Sequence, residues 1–412
     1  MKRIYCLLGS ALLTLALVAC QGGRTAAADA DCGDTVEMKY AQWLTLVKHG
    51  AGDANSSNCE YAEAIVANPW KPGSLLHRYI LIPKGKEGDE TAANLAKRRM
   101  AAGGAICVTD TVRTPVERSV VFTSAHCQLM GELGARQAIT GVCDRNYINI
   151  PLPESVADCG SGMAPDIERI ITLKPQALLI SPFENSGGYG KLDKLHIPII
   201  ETADYMETSP LGRAEWMKFY GMLFGEEVKD EKEPKMVRPV SFETGADSLF
   251  AKIEKEYLSL KDRAAKLPKG SSVLTERKTG NVWYVPGGQS TIGILLKDAN
   301  ARYIFADDTH SGSLALSPEQ ILAKGGEVDV WAFKYFDSKP LSHAQLLQEY
   351  EGYKALRAFQ QNNVYECNTM TQPYFETTSF HPEILLREFI ILAHRDKSLF
   401  GNLKFYKPID RE

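Results

Sequence analysis

The chain has 412 residues, a formal net charge of −4, nine cysteines and 44% hydrophobic residues. This is the composition of an ordinary globular protein with room for two domains or slightly more. Mild acidity leaves no basic footprint for nucleic acid. No stretch beyond the N-terminus is apolar enough to span a bilayer.

Residues 1–19 read as a signal peptide. Lys2 and Arg3 form its basic end, and Leu7 to Val18 is an apolar core too short for a stable membrane span. Leu17-Val18-Ala19-Cys20 resembles a bacterial lipobox, which implies cleavage before Cys20 and lipid on that cysteine. Cleavage removes two positive charges, taking the net charge from −4 to −6. Residues 20–35 then form a small, polar tether, so the chain is anchored rather than integral. Gln21-Gly22-Gly23-Arg24 lacks an acidic cluster for surface export, which favours a periplasmic face. Of the other cysteines, Cys143–Cys159 and Cys32–Cys59 are candidate bridges in an oxidising compartment. An odd number remains after Cys6 and Cys20, so at least one is free or pairs outside the chain.

Residues 36–104 are expected to form an N-terminal extension. Val36 to Leu44, Tyr61 to Asn68 and Leu76 to Pro83 read as strands between Pro and Gly turns. Lys84 to Gly104 is charged and is expected on the surface, as a helix or an excursion. A first lobe is expected over 105–240, with strands at Ser119–Thr123, Ile139–Val142, Ala177–Ser181 and Ile197–Glu201. Helices alternate with them at Gln128–Gly134, Asp166–Leu173 and Lys191–Leu195, a pattern that implies a parallel sheet.

The interlobe segment is expected at 241–268, and from Ala246 to Leu267 the residues Leu249, Ile253, Tyr257, Leu260, Ala264 and Leu267 recur at steps of four and three without Gly or Pro. That predicts one amphipathic helix over Ala246–Leu267, roughly 33 Å long at about 1.5 Å per residue. Residues 269–412 are expected to form a second α/β lobe. Its predicted strands are Asn281–Val285, Arg302–Phe305, Val328–Phe333 and Val364–Cys367. Its predicted helices are Ser290–Asp298, Ser317–Lys324, Leu341–Phe359 and Pro382–His394. A helix–turn–strand unit spanning Glu168–Ile180 returns as Glu319–Trp331, which makes the two lobes alike. The fold class is therefore α/β: two Rossmann-like lobes with parallel sheets, one long interlobe helix, and an N-terminal β-rich extension.

Several motifs fall in a characteristic order between residues 115 and 396. They are Leu133-Gly134 with Gly141-Val142, Asp158-Cys159-Gly160, Pro165 to Glu168, Leu173-Lys174-Pro175, and Pro210 to Trp216. The long helix, Trp283 to Gly288, and Pro382 to Leu385 complete the set. With them the chain resembles a class III periplasmic binding protein, the receptor class of ABC importers for ferric siderophores, haem and cobalamin. The resemblance implies two rigid lobes, a ligand at their interface, and a monomer that delivers its ligand to an ABC permease. It also implies one docking carboxylate per lobe. Glu184 is the first-lobe candidate, and Asp307 and Asp308 are those of the second, where Arg302 falls near the expected acid.

Ligand contacts are expected in loops after strands, at the carboxyl edge of the sheets. His126 stands at the start of a helix as a candidate haem or cobalt ligand or a cleft-lining residue. Tyr147, Phe183, Tyr189 and Tyr205 follow first-lobe strands; Tyr284, Tyr335, Phe336 and Tyr374 belong to the second lobe. Such aromatics suit a flat macrocycle or a catecholate. Gln289 and Ser290 follow Gly287-Gly288, a turn that can present N–H groups to an anion. No resident cofactor or protein-bound metal is expected, since the histidines are scattered; the captured ligand itself would be an iron or cobalt complex.

No GxSxG, HExxH or Walker motif occurs, and Asp166 and Glu168 fit the positive end of a helix dipole better than catalysis. The expectation is therefore a binding lipoprotein for an iron complex (siderophore or haem) and not an enzyme. A corrinoid receptor, a permease-independent capture lipoprotein and a chelatase are the alternatives.

Overall fold

The computed structural model describes residues 33–50, 59–84, 108–184, 188–225, 245–395 and 400–410. All lie in one compact unit, Gly33–Glu412. The signal peptide, Cys20, Cys32, Cys107 and the charged segment after Lys84 lie outside the described residues, as does the Cys59 side chain.

The extension is a five-stranded sheet. Strands β1 (Leu44–Gly50), β2 (Cys59–Ala67) and β3 (Leu75–Pro83) run antiparallel, with the two-residue strand Asp34–Thr35 at one edge. Strand β4 (Val108–Thr114) joins β3 in parallel over seven residue pairs, His77↔Val108 to Pro83↔Thr114. The sheet therefore reaches past the boundary expected at residue 105. Leu46, Ala62, Ala64, Tyr79 and Val112 are buried in the main core, so the extension is packed onto the body.

The expected strand at Val36–Leu44 is absent up to Trp43: Val36 still donates to Leu46 O at 2.9 Å, but from Lys39 on the N–H groups go to carboxylates rather than to a ladder. Lys39, Tyr40 and Ala41 donate to Glu215 at 2.8–2.9 Å. Gln42 and Trp43 donate to Glu207 at 2.9 Å. This strap lies across helices α3 (Pro210–Glu215) and α4 (Met217–Phe224) of the first lobe. It fits closely there, for a Cβ on Gly212 would sit 2.8 Å from the Tyr40 carbonyl oxygen.

The first lobe is built on five parallel strands: β5 (Ser119–Val121), β6 (Ile139–Val142), β7 (Ala157–Asp158), β8 (Ala177–Ile180) and β9 (Ile199–Glu201). Their spatial order is β9-β8-β5-β6-β7. Helix α1 (Ser124–Glu132) follows β5, and α2 (Ile167–Leu173) precedes β8. Asp166 caps α2, accepting the Arg169 N–H at 2.9 Å, which explains it as a helix-start residue. Cys143 and Cys159 are free buried thiols in one cluster, not the expected disulfide. Each sulfur faces a carbonyl, Cys159 O at 3.8 Å and Ala157 O at 3.9 Å respectively. Burial pushes the two thiols up to about 12 and about 11.

Helix α5 (Gly245–Ala265) runs between the lobes for 21 residues. Ala246, Phe250, Ile253, Tyr257, Leu260 and Ala264 are its buried stripe, so Phe250 takes the place expected for Leu249, which is half-buried. Tyr40 packs edge-on to Phe250 and donates its hydroxyl to Glu254 at 2.8 Å, so the strap also touches this helix. At the other end Tyr257 donates to Asp298 at 2.7 Å.

In the second lobe β10 (Ser272–Thr275) is the strand from which the sheet is built. The others are β12 (Arg302–Tyr303), β14 (Val330–Tyr335), β15 (Val364–Asn368) and β16 (Lys407–Pro408), in the order β12-β10-β14-β15-β16. Only β16 is antiparallel. The predicted strand at Asn281–Val285 exists as β11 (Val282–Pro286) but lies outside this sheet. It pairs antiparallel with Lys278–Thr279 and with β13 (Ser313–Leu316). Helices α6 (Thr291–Asp298), α7 (Pro318–Gly325), α8 (Tyr374–Thr378) and α9 (Pro382–His394) belong to the lobe, and the span predicted as helical at Leu341–Phe359 holds two shorter helices, His343–Glu349 and Arg357–Gln360. The repeated sequence unit is α2–β8 in one lobe and α7–β14 in the other. Among the described residues no helix is long and apolar enough to cross a membrane.

Candidate functional site

In the first-lobe sheet the chain moves outward from β5 to β7, then returns to place β8 on the other side of β5. The crevice between β5 and β8 is thus a topological switch point, where open α/β sheets leave room for a ligand. A cavity of about 340 Å3 lies there. Its walls include Phe122 and Thr123 after β5, Asp144 after β6, and Ser181 and Phe183 after β8. Tyr189 closes one side. The Thr123 and Ser181 hydroxyls are 3.0 Å apart. Asp144 adopts left-handed backbone (φ 52°) and accepts the Gly162 N–H at 3.0 Å. That bond holds the tight turn at whose tip Met163 is 85% exposed.

Aromatic side chains also meet across the lobe boundary. Phe336, just after β14, meets Tyr147 with ring centroids 5.0 Å apart. Tyr147, Phe183, Tyr205 and Phe336 are all exposed large apolar side chains. The Tyr205 hydroxyl donates to the Pro182 carbonyl, tying it to the loop that carries Phe183. The second-lobe sheet has its own switch point between β10 and β14. Lys334 and Glu276 are ion-paired there, with the Lys334 ammonium 5.4 Å from the Tyr374 ring centre. Polar contacts also join the lobes: Asn149 N–H to Glu376 at 2.9 Å, Asn149 Nδ2 to Thr369 O at 2.8 Å, and Thr291 Oγ1 to Glu207 O at 3.2 Å.

Residues 239–370 match the periplasmic binding protein family. The chain has the fold of the class III periplasmic binding proteins. A possible iron-binding, periplasmic solute-binding protein from Staphylococcus epidermidis superposes with a TM-score of 0.50 at 15% identity, covering 68% of this chain and 99% of that one. The siderophore binding protein FhuD from Vibrio cholerae, solved with Fe3+-Desferal, gives a TM-score of 0.49 at 17% identity, covering 68% and 100%. An uncharacterized lipoprotein of Methanocaldococcus jannaschii is 23% identical over 352 residues, 80% of this chain and 75% of its own. The matched family and the structural neighbours are binding proteins, not enzymes.

The periplasmic binding fold corrects several expectations about its ligand contacts. His126 is 0% exposed. Its Nε2 is 3.1 Å from Asp204, whose other oxygen takes Arg213 Nε at 3.0 Å, and its ring packs against Tyr220 and Phe380. The structure places it in the core rather than on an open cleft surface. Burial works to raise the Asp204 carboxyl, but Arg213 and His126 outweigh it and hold it below the usual range.

Ser290 is a helix cap, buried and accepting the Gly293 N–H at 3.1 Å. The glycine turn before it is closed: Gly287 N–H goes to Gly312 O and Gln289 N–H to His310 O. A Cβ on Gly288 would meet Ala306 O at 2.5 Å, so the turn packs directly against the backbone that follows β12. Gln289 itself is exposed. Asp308 serves the same packing by accepting His310 N–H at 2.9 Å, whereas Asp307 and Glu184 are exposed. Tyr335 and Tyr374 are buried side chains rather than cleft walls. Tyr284 is exposed on the outer sheet opposite Ala315, and Trp283 beside it faces the core. Among the described residues no cluster of three His, Cys, Asp or Glu converges to hold a metal ion.

Sequence reasoning missed Asp144, Thr123, Ser181 and Met163 as pocket residues. Thr123 and Ser181 were assigned to strand ends, although a polar residue closing an apolar run is the available signal. Met163 had none.

Behind the pocket a polar chain runs into the extension. Tyr189 donates to Glu201 at 2.7 Å, Glu201 meets His77 Nδ1 at 2.8 Å, and His77 Nε2 meets Asp110 at 3.2 Å. The Tyr79 hydroxyl accepts the Glu201 N–H at 2.7 Å and its ring stacks on His77. Burial, and then Glu201, push the Tyr189 phenol far up, so it remains a neutral donor.

A second histidine latches the lobes together. His381 beside α9 contacts Glu132 of α1 at 2.7 Å and Glu383 at 2.8 Å. Burial lowers its pKa, but the two carboxylates outweigh that and raise it to about 9. Its contribution to stability is therefore complete below the unfolded value of about 6.5 and is lost as pH rises through about 9. The contribution is on the order of 1–3 kcal/mol. Thermal melts of His381→Gln and the parent should differ most near pH 6.5 and converge near pH 10. A gap that stays constant across that range contradicts the latch.

Proposed function

We propose that this chain is a lipid-anchored solute receptor of an ABC importer. It captures an iron complex in the cleft between its lobes and hands it to the permease. The observation that carries the reading is the aromatic-walled cavity at the first-lobe switch point; a separate pair, Tyr147 and Phe336, meets across the lobe boundary. A conjugated or bulky chelate gains from stacking on such faces and from burial of their apolar area. The fold supports a binding role, and the Methanocaldococcus jannaschii relative bears the name lipoprotein. Cys20 supplies the anchor and Glu184 and Asp307, both exposed, the docking charges for the permease.

Between the two iron ligands first weighed, a siderophore fits better than haem. A siderophore encloses its iron and needs no protein ligand, whereas the histidine assigned to haem iron is sealed in the core. Phe183→Ala is expected to weaken chelate binding about tenfold, from the loss of one stacking face worth about 1.5 kcal/mol. Quenching of protein fluorescence during titration with a ferric trihydroxamate measures it. Affinity unchanged in both Phe183→Ala and Tyr189→Ala places the ligand elsewhere.

A further inference from the structure

The walls of the first-lobe cavity carry a charge pattern as well as a shape. Asp144 is the one ionisable carboxyl side chain among the described residues lining it, and no Lys, Arg or His joins it. Two carboxylates stand behind the lining: Asp193 accepts the Tyr189 N–H at 2.8 Å, and Glu201 has His77 at 2.8 Å as its counter-charge. An anionic ligand therefore meets a like charge and no partner in this cavity, while a cation meets a carboxylate with one oxygen committed to Gly162.

Inner-sphere ligands to a metal are scarce too. The Tyr189 hydroxyl is engaged with Glu201 and that of Tyr205 with the Pro182 carbonyl. Burial raises both phenols, which keeps them from offering a phenolate. What remains for a ligand is aromatic surface, the Met163 side chain, the Thr123 and Ser181 hydroxyls, and a single Asp144 carboxylate oxygen. Those groups suit the outside of a complete complex rather than an open coordination site.

We infer that the cavity selects a coordinatively saturated metal chelate that is neutral or positively charged, held entirely by its outer surface, with Asp144 as the charge selector. The inference rests on the reading of the cleft as a chelate site and narrows it to one charge class.

The test uses the full-length chain in mild detergent and three ferric probes: a linear trihydroxamate carrying a positive charge, an uncharged cyclic trihydroxamate, and a trianionic tris-catecholate. Fluorescence titration should show both hydroxamates binding and the catecholate at least about tenfold weaker. Added salt should weaken the cationic probe alone. Asp144→Asn preserves the left-handed backbone, which Asn tolerates, and a thermal melt verifies its fold. It should bring the cationic and anionic affinities closer by about tenfold. Tighter binding of the catecholate than of either hydroxamate, or an unchanged ratio in Asp144→Asn, overturns the charge selection while leaving a chelate receptor in place. Failure of all three probes to bind the parent overturns the chelate reading itself.

Discussion

Replacing Glu215 by alanine should lower the unfolding free energy by about 3–5 kcal/mol, as breaking a buried charged network does. The carboxylate is 0% exposed. It accepts three successive backbone N–H groups, from Lys39, Tyr40 and Ala41, and pairs with Lys218 at 3.0 Å. Alanine leaves those donors without an acceptor, each at a cost of about 1–3 kcal/mol unless water enters. Gln should cost less than Ala, since its amide oxygen still accepts while its NH2 opposes the strap donors. Denaturant unfolding with an unchanged slope measures the difference. A loss below about 1 kcal/mol, typical of an exposed ion pair, would show that the strap is held by something else.

Removing His77 should be comparably costly and should also reach the ligand pocket. The ring is buried between Glu201 and Asp110, so His77→Leu leaves Glu201 with no counter-charge. The expected loss is about 3–5 kcal/mol. Burial works to lower the His77 pKa, but the hydrogen bonds its ring donates to Asp110 and Glu201 outweigh it and raise it. The stabilising contribution is thus complete below about pH 6.5 and fades as pH rises through the raised value. Parent and variant should therefore differ more at pH 6 than at high alkaline pH. Tyr189 also loses the firm hold of its acceptor, so chelate affinity should fall while a distant core substitution of equal cost leaves it intact. Equal affinity in parent and His77→Leu would mean that the polar chain does not position the pocket.

Much of the architecture is legible in the residues because it is written in local periodicity. Ile253, Tyr257, Leu260 and Ala264 step along one face and are buried on α5. The paired units α2–β8 and α7–β14 follow from an apolar helix stripe, a turn, and a short apolar run. Strand β10 escaped notice because its buried apolar residues are only Val273 and Leu274, too few to show a pattern, although parallel neighbours on both sides make it central.

The site was harder to read, since its geometry depends on partners far along the chain. Phe183 and Tyr189 lie at the cavity, and Tyr147 and Phe336 do meet across the lobes. His126 looked equally suitable, but its acid partner Asp204 is 78 residues away and turns the ring into the core. The strap was read as a strand for the same reason, since Lys39 and Glu215 are 176 residues apart. Alternation in a sequence reveals which side chains face in, and says nothing of where the backbone N–H groups find acceptors.

The most direct test of the chelate-receptor reading is iron anomalous diffraction from crystals of the protein grown with a ferric trihydroxamate. The account predicts a single strong peak over the first-lobe cavity, beside Phe183 and Tyr189, with no protein atom within bonding distance of iron. A peak coordinated by protein side chains, or iron sited away from that cavity, would contradict it.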